Sequence, residues 1–101
     1  MYVIIKKYIR EDVNTPFFFE ISTPSEKYSS HIRSTYGLTK KLLGIERTMS
    51  EDLTNFTVKM IFNTRDDYLD FVLDPIPFHE YGHKNHIYNL KNNIRTESSL
   101  E

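Results

Sequence analysis

The sequence predicts an α+β domain in which an antiparallel sheet is covered by helices on one face. Three observations carry that prediction. Leu42 to Asn63 reads as a β-hairpin with one apolar side. The segments flanking it have helix start and stop signals in place of strand alternation. The full element order is strand, helix, strand, strand, broken helix, strand, which suits a split βαβ arrangement.

Tyr2 to Arg10 alternates in both registers, with Val3, Ile5 and Ile9 on one face and Tyr2, Ile4 and Tyr8 on the other. Apolar residues on both faces suit a strand central to its sheet. Lys6 and Lys7 fall on opposite faces and read as solvated ends of the element. Glu11 to Pro16 is a turn. Phe17-Phe18-Phe19-Glu20-Ile21 reads as extended, either an extra strand or a bent lead-in to the next helix. Three consecutive phenylalanines cannot all face one way in a strand, so the run is expected to meet two surfaces. The second surface is either a subunit interface or the other side of a core.

Thr23-Pro24-Ser25-Glu26 predicts a helix start, with Thr23 as cap and Glu26 completing a capping box. The helix is expected to end near Tyr36, with Gly37 as a left-handed cap. Its buried stripe is Tyr28, Ile32 and Tyr36, with His31 and Thr35 beside it. In the hairpin, Phe56, Val58, Met60 and Phe62 share one face with Leu43, Ile45 and Met49 across from them. Glu46, Thr48, Asn55, Thr57 and Lys59 take the other face. Asn63 or Thr64 caps a second helix whose apolar side is Tyr68, Leu69, Phe71, Val72 and Leu73. Asp74-Pro75-Ile76-Pro77 breaks that helix, and Pro75 can open another over Ile76 to about Asn92. Counted at 100° per residue, His79, His83, His86, Ile87, Leu90 and Ile94 form its stripe, and Tyr81 and Tyr88 lie opposite. Ile94 to Ser98 is expected as a last, edge strand.

The totals set limits on the class. A chain of 101 residues is one domain, assigned here to residues 1–99. Leu100-Glu101 is compatible with a cloning scar and carries no weight. A net charge of −1 gives no reason to expect nucleic acid or an acidic membrane as partner. There is no cysteine, hence no thiol chemistry and no disulfide framework. Met1 to Lys7 does not fit a signal peptide, and no apolar run approaches the roughly 20 residues a membrane span needs. A cytoplasmic protein is expected. Alanine is absent while isoleucine, asparagine and lysine abound, a usage that suits an AT-rich genome such as a low-GC bacterium or a tailed phage.

The Leu43–Phe62 hairpin followed by Asp67-Tyr68-Leu69-Asp70-Phe71-Val72-Leu73-Asp74-Pro75 resembles the dimeric α/β-barrel proteins of ferredoxin-like fold, the group that contains antibiotic-biosynthesis-type monooxygenases. The likeness is one of element order and rests on no signature motif. It implies a homodimer whose two sheets face each other, with a small cavity between sheet and helices. Catalytic residues vary within that group, and none is carried over.

One chemical motif is present. His79-Glu80-Tyr81-Gly82-His83 matches H-E-x-x-H, which on a helix can place two histidines on one Zn²⁺ with the glutamate activating its water. His86 follows on the same predicted face, and His31 is the only other histidine. Gly82 inside the helix costs about 1 kcal/mol relative to alanine. The plainer reading, adopted here, is of half-buried histidines edging an apolar stripe, with no cofactor. Weak catalytic candidates are Glu80 and His31, the latter as a base for which no partner is evident in the sequence. An RRM-like use of Phe56, Val58 and Phe62 lacks the basic and glycine residues of that pattern, so RNA binding is a distant alternative. Many amphipathic rings, among them Tyr8, Phe17, Tyr28 and Tyr81, suit a pocket for a small flat ligand. The expected function is therefore structural or small-ligand binding in a homodimer, without a catalytic set. A zinc hydrolase is the alternative.

Overall fold

The computed structural model describes all residues from Met1 to Glu101. Four strands form one antiparallel sheet: β1 (Tyr2–Ile9), β2 (Leu42–Met49), β3 (Asn55–Phe62) and β4 (Arg95–Leu100), in the order β2-β3-β1-β4. This is the split βαβ order, in which β3 lies between β1 and β2 and the chain crosses one face twice. No helix is long and apolar enough to cross a membrane.

The register explains which face is covered. Tyr2, Ile4, Lys6 and Tyr8 of β1 stand opposite Phe62, Met60, Val58 and Phe56 of β3. Leu42, Ile45, Arg47 and Met49 of β2 complete the rows. All point to the helical layer, because alternate residues of a strand share a face. The hairpin is thus where the sequence places it, with one correction. Leu42, not Leu43, fills the slot opposite Phe62; a bulge between Leu42 and Gly44 leaves Leu43 unpaired and 45% exposed. An extra residue in a bulge reverses the parity of everything before it, which is why straight alternation selects the wrong leucine.

The turn Ser50–Thr54 is organised by Asp52. Its Oδ1 accepts from the Ser50 and Thr54 hydroxyls and the Thr54 N–H, at 2.7, 2.7 and 3.1 Å. Those donors favour the carboxylate and hold its pKa down to about 2.

The helical layer departs from the sequence reading in four places. Phe18–Ile21 is a single helical turn, α1, where an extended segment was expected. The next helix, α2, is Glu26–Ile32 and its cap is Ser25, whose Oγ accepts from the Tyr28 N–H. Pro24 therefore lies before the cap, and Thr23 does not cap. The chain then makes a π-helical turn over Arg33–Gly37. Gly37 is not left-handed; Lys40 takes that conformation, with φ 63°. Thr64 caps α3 (Arg65–Leu73) as expected, accepting from Asp67 N–H, and Asp74 caps the next turn through Ile76 N–H. That turn, α4 (Pro75–Pro77), leads into a second π-helical turn over Phe78–Gly82 and then α5 (His83–Lys91).

The fourth departure is the face that α5 presents. His83, His86, Ile87 and Leu90 keep their common face beyond the π turn, but that face turns largely outward. Ile94, past the helix end, is buried as expected. Ile87 and Leu90 are exposed at 36% and 64%, whereas Asn89 is 4% exposed. Tyr81 and Tyr88 turn inward, both packed on Phe18.

The tight core is small. Tyr36, Leu42 and Phe62 form it, with Tyr68 and Phe71 of α3 against Phe62. β4 is an edge strand, exposed along its whole length, and Leu100 lies within it, paired with Ile4.

Candidate functional site

Away from that core, sheet and helices separate. A cavity of about 580 Å³ lies between them, within the range typical of small-molecule sites. Its floor is the middle and far end of the hairpin: Ile45, Arg47, Phe56, Val58 and Met60. Ile45, Phe56, Val58 and Met60 are residues the sequence assigns to the buried side, and they are on it; Arg47 joins them unforeseen. Yet none is fully buried, because the helices do not close over them.

One end of the cavity is closed by the phenylalanine run. Phe17 is 2% exposed and stacks on Phe19 and Phe56 at 6.1 and 5.9 Å; Phe19 approaches Phe56 to 4.4 Å. Phe18 turns the other way, against Tyr81 and Tyr88, while the Tyr88 hydroxyl donates to the Pro16 carbonyl. Of the two surfaces expected for this run, both are intramolecular.

Arg10 locks this end in place and was not singled out from the sequence. It is 5% exposed, and its guanidinium sits 4.2 Å above the Phe17 ring centre. Nε donates to the Leu53 carbonyl at 2.8 Å and Nη1 to the Thr15 carbonyl at 2.9 Å, with Glu20 3.6 Å away. Leu53 has φ 65°, a left-handed conformation costly for leucine, so Arg10 fixes the carbonyl of a strained residue. The available signal was a single arginine ending an apolar strand.

The opposite wall is built by helices. Tyr28 of α2 and Tyr81 of the second π turn pack at 5.7 Å, above a floor that includes Tyr8. Burial pushes all three hydroxyls above the ordinary phenol range, with Asn85 partly offsetting this for Tyr8 and Arg47 for Tyr28 and Tyr81. At neutral pH they are O–H donors. Asn85 and Asn89 of α5 add amides to the wall.

The cavity's charges are one-sided. Arg47 and Lys6 both stand opposite Val58, one from each neighbouring strand. Strand spacing places their backbones about 10 Å apart with Val58 between them. Neither forms an ion pair with a carboxylate of the chain, and no lining residue is aspartate or glutamate. Lys6 shares its parity with Ile4 and Tyr8, and Arg47 with Ile45 and Met49. That parity was the signal for both; reading Lys6 as a solvated strand end overlooked it.

The sequence-derived site residues lie elsewhere, with one exception. His79 and His83 are exposed and flank the Phe78 ring at 5.1 and 5.5 Å. Glu80 is half-buried and accepts from the Ser25 hydroxyl at 3.5 Å. His86 is exposed but reaches the cavity rim. No three histidine, aspartate or glutamate side chains gather where they could hold a metal ion.

His31 does have a partner, contrary to the sequence reading. Its Nε2 lies 2.5 Å from Asp74 Oδ2, and its Nδ1 3.3 Å from the Thr35 hydroxyl. The Tyr36 hydroxyl donates to the same Asp74 oxygen at 2.6 Å. Burial alone would raise the Asp74 carboxyl, but the hydrogen bonds from His31, Tyr36 and the Ile76 N–H outweigh it and hold it below the ordinary range. Burial, reinforced by Asp74 and Asp70, pushes the Tyr36 hydroxyl well up. This cluster ties the first helical region to the helix break, and both His31 ring nitrogens are occupied outside the cavity.

No protein-family model matches the sequence, and no curated protein matches it. Solved structures share the fold. The whole chain aligns with 93% of a dimeric ferredoxin-like protein from an uncultured marine organism, at TM-score 0.64 and 11% identity. It also aligns, again over its full length, with 90% of a candidate antibiotic biosynthesis monooxygenase from Deinococcus radiodurans, at TM-score 0.57 and 7% identity. The chain therefore has the ferredoxin-like α+β fold that its element order resembles. At such identities the likeness is of architecture alone.

Proposed function

We propose that this protein binds a small, flat organic ligand in the cavity between its sheet and its helices, and that it works as a homodimer paired through the open face of the sheet. The cavity carries the first half of this reading. A domain with so small a tight core gains stability by closing its helices onto Phe56, Val58 and Met60; a volume of about 580 Å³ is held open there instead. The aromatic walls favour a ligand with a π-face.

The second half rests on the uncovered face. Val3, Ile5 and Ile9 of β1 and Ile61 of β3 lie on the side away from the helices. Lys59, opposite Ile5 on that face, is neutralised by Glu46 at 3.9 Å and Glu101 at 2.9 Å. A similar structure is described as dimeric. Sheet-to-sheet pairing buries the strip and the exposed β4 together.

Two measurements test the reading. Fluorescence of the neutral probe N-phenylnaphthylamine should rise saturably with protein, and Val58→Trp, which fills the cavity, should abolish the rise. An unsaturable signal, or one unchanged by Val58→Trp, counts against the pocket. Sedimentation velocity should give twice the 12.1 kDa chain mass, and Ile5→Glu should return it to the monomer. A wild-type monomer at tens of micromolar ends the dimer proposal.

A further inference from the structure

The row Arg47–Val58–Lys6 crosses the cavity floor and places two cations on either side of a small apolar residue. Some basic side chains of this chain find acids: Lys59 has Glu46 and Glu101, Lys41 has Asp70 at 3.1 Å, and Arg10 has Glu20. Arg47 and Lys6 have none, and they face a cavity whose lining holds no carboxylate. Cations beside apolar and aromatic walls, without a counter-charge, form a site complementary to an anion. The Tyr28 and Tyr81 rings lie over the same floor and bring O–H donors to the cavity.

We infer that the cavity selects an organic anion: an aromatic acid whose ring lies over Val58 between the Phe56 and Tyr81 sides, and whose carboxylate or equivalent anionic group is held by Arg47 and Lys6. This rests on the pocket reading above and goes beyond it by naming the ligand class. The division of labour follows from the side chains. Arg47 offers a planar fork suited to a carboxylate, and Lys6 a single mobile ammonium. Val58 leaves the room between them that a larger side chain would fill.

Matched acid and amide pairs test the inference: benzoate and benzamide, naphthoate and naphthamide, anthracene carboxylate and anthracene carboxamide, each titrated calorimetrically. Within a pair the ring is constant and only the charge changes. The inference predicts that the acid of the best-fitting pair binds at least about tenfold tighter than its amide, as expected for hydrogen bonds to charged groups. Arg47→Gln and Lys6→Gln should each remove most of that preference, read as the ratio of acid to amide affinity for the same variant. Acid and amide binding equally would overturn the inference and leave the pocket reading standing. No saturable binding by either member of any pair would overturn both. A preference that survives the double variant would also overturn it, since the charge would then be read by other groups.

Discussion

Two ends of one sheet face, built from the same four strands, have opposite fates. At the end bearing Leu42 and Phe62, α3 and the first π turn press Tyr68, Phe71 and Tyr36 onto the strands, and Phe62 is 0% exposed. At the end bearing Val58 and Phe56, the helices stand off and the strands become the floor of a cavity. Hydrophobic pattern does not distinguish the two ends, since Phe56, Val58, Met60 and Phe62 alternate without interruption. What differs is the cover. The packed end is roofed by a capped α-helix and cinched by the Asp74 cluster. Both ends carry a π turn; the open end is bordered by the one-turn helix Phe18–Ile21 and by Tyr28 of α2 and Tyr81, whose rings pack on each other.

The contrast makes graded predictions for stability, each measurable by denaturant unfolding. Phe62→Ala should cost most, about 3–5 kcal/mol, as a fully buried aromatic without room to collapse around the loss. A cost under about 1.5 kcal/mol would mean the packed end is not the core. Arg10→Met removes the guanidinium's bonds to Leu53 and Thr15 and should cost about 2–3 kcal/mol. Asp74→Asn should cost about 1–2 kcal/mol by weakening its bonds to His31 and Tyr36.

That carboxyl also sets a pH signature. Its folded-state pKa lies below the unfolded value of 3.8, so its contribution is complete above that pH. The contribution is lost as pH falls through the folded value. Asp74→Asn should flatten that part of the acid limb; an unchanged limb would assign it to other acids. Val58→Ala, by contrast, should cost only about 1 kcal/mol, since its side chain already borders empty space. A loss near that of Phe62→Ala would erase the distinction between the ends. The smallest effect is a gain. Gly82 has helical φ, and an added Cβ would meet only the Pro77 carbonyl at an ordinary 3.6 Å. Gly82→Ala should stabilise by about 0.5–1 kcal/mol.

The fold was legible because its signals were local. Strand alternation fixed β1 and β3, Thr64 and the Asp74-Pro75 break fixed α3, and element order then leaves few topologies. The errors have separate sources. The Leu43 bulge reversed parity in β2 and has no strong composition cue. On α5 the polar and aromatic residues Asn85, Tyr88 and Asn89 face inward, to the cavity and to Phe18, so a stripe chosen by apolarity selects the outward face. The caps at Ser25 and Lys40 turn on which of several neighbouring candidates the chain uses. The site was legible only in part. Its aromatic character was visible in the surplus of rings, but the His31–Asp74 contact joins residues 43 apart, and periodicity is silent about such contacts. The floor cations were hidden by the habit of reading basic residues as solvated, when their parity with Ile4 and Ile45 placed them inside.

The central claim is that the face of β3 changes from core to binding floor along its own length. Carbon-detected methyl NMR during titration with naphthamide tests it most directly. The account predicts saturable shifts at the methyls of Val58, Met60 and Ile45, with those of Leu42 unmoved. Shifts spread evenly to Leu42, or none that saturate at Val58, would contradict it.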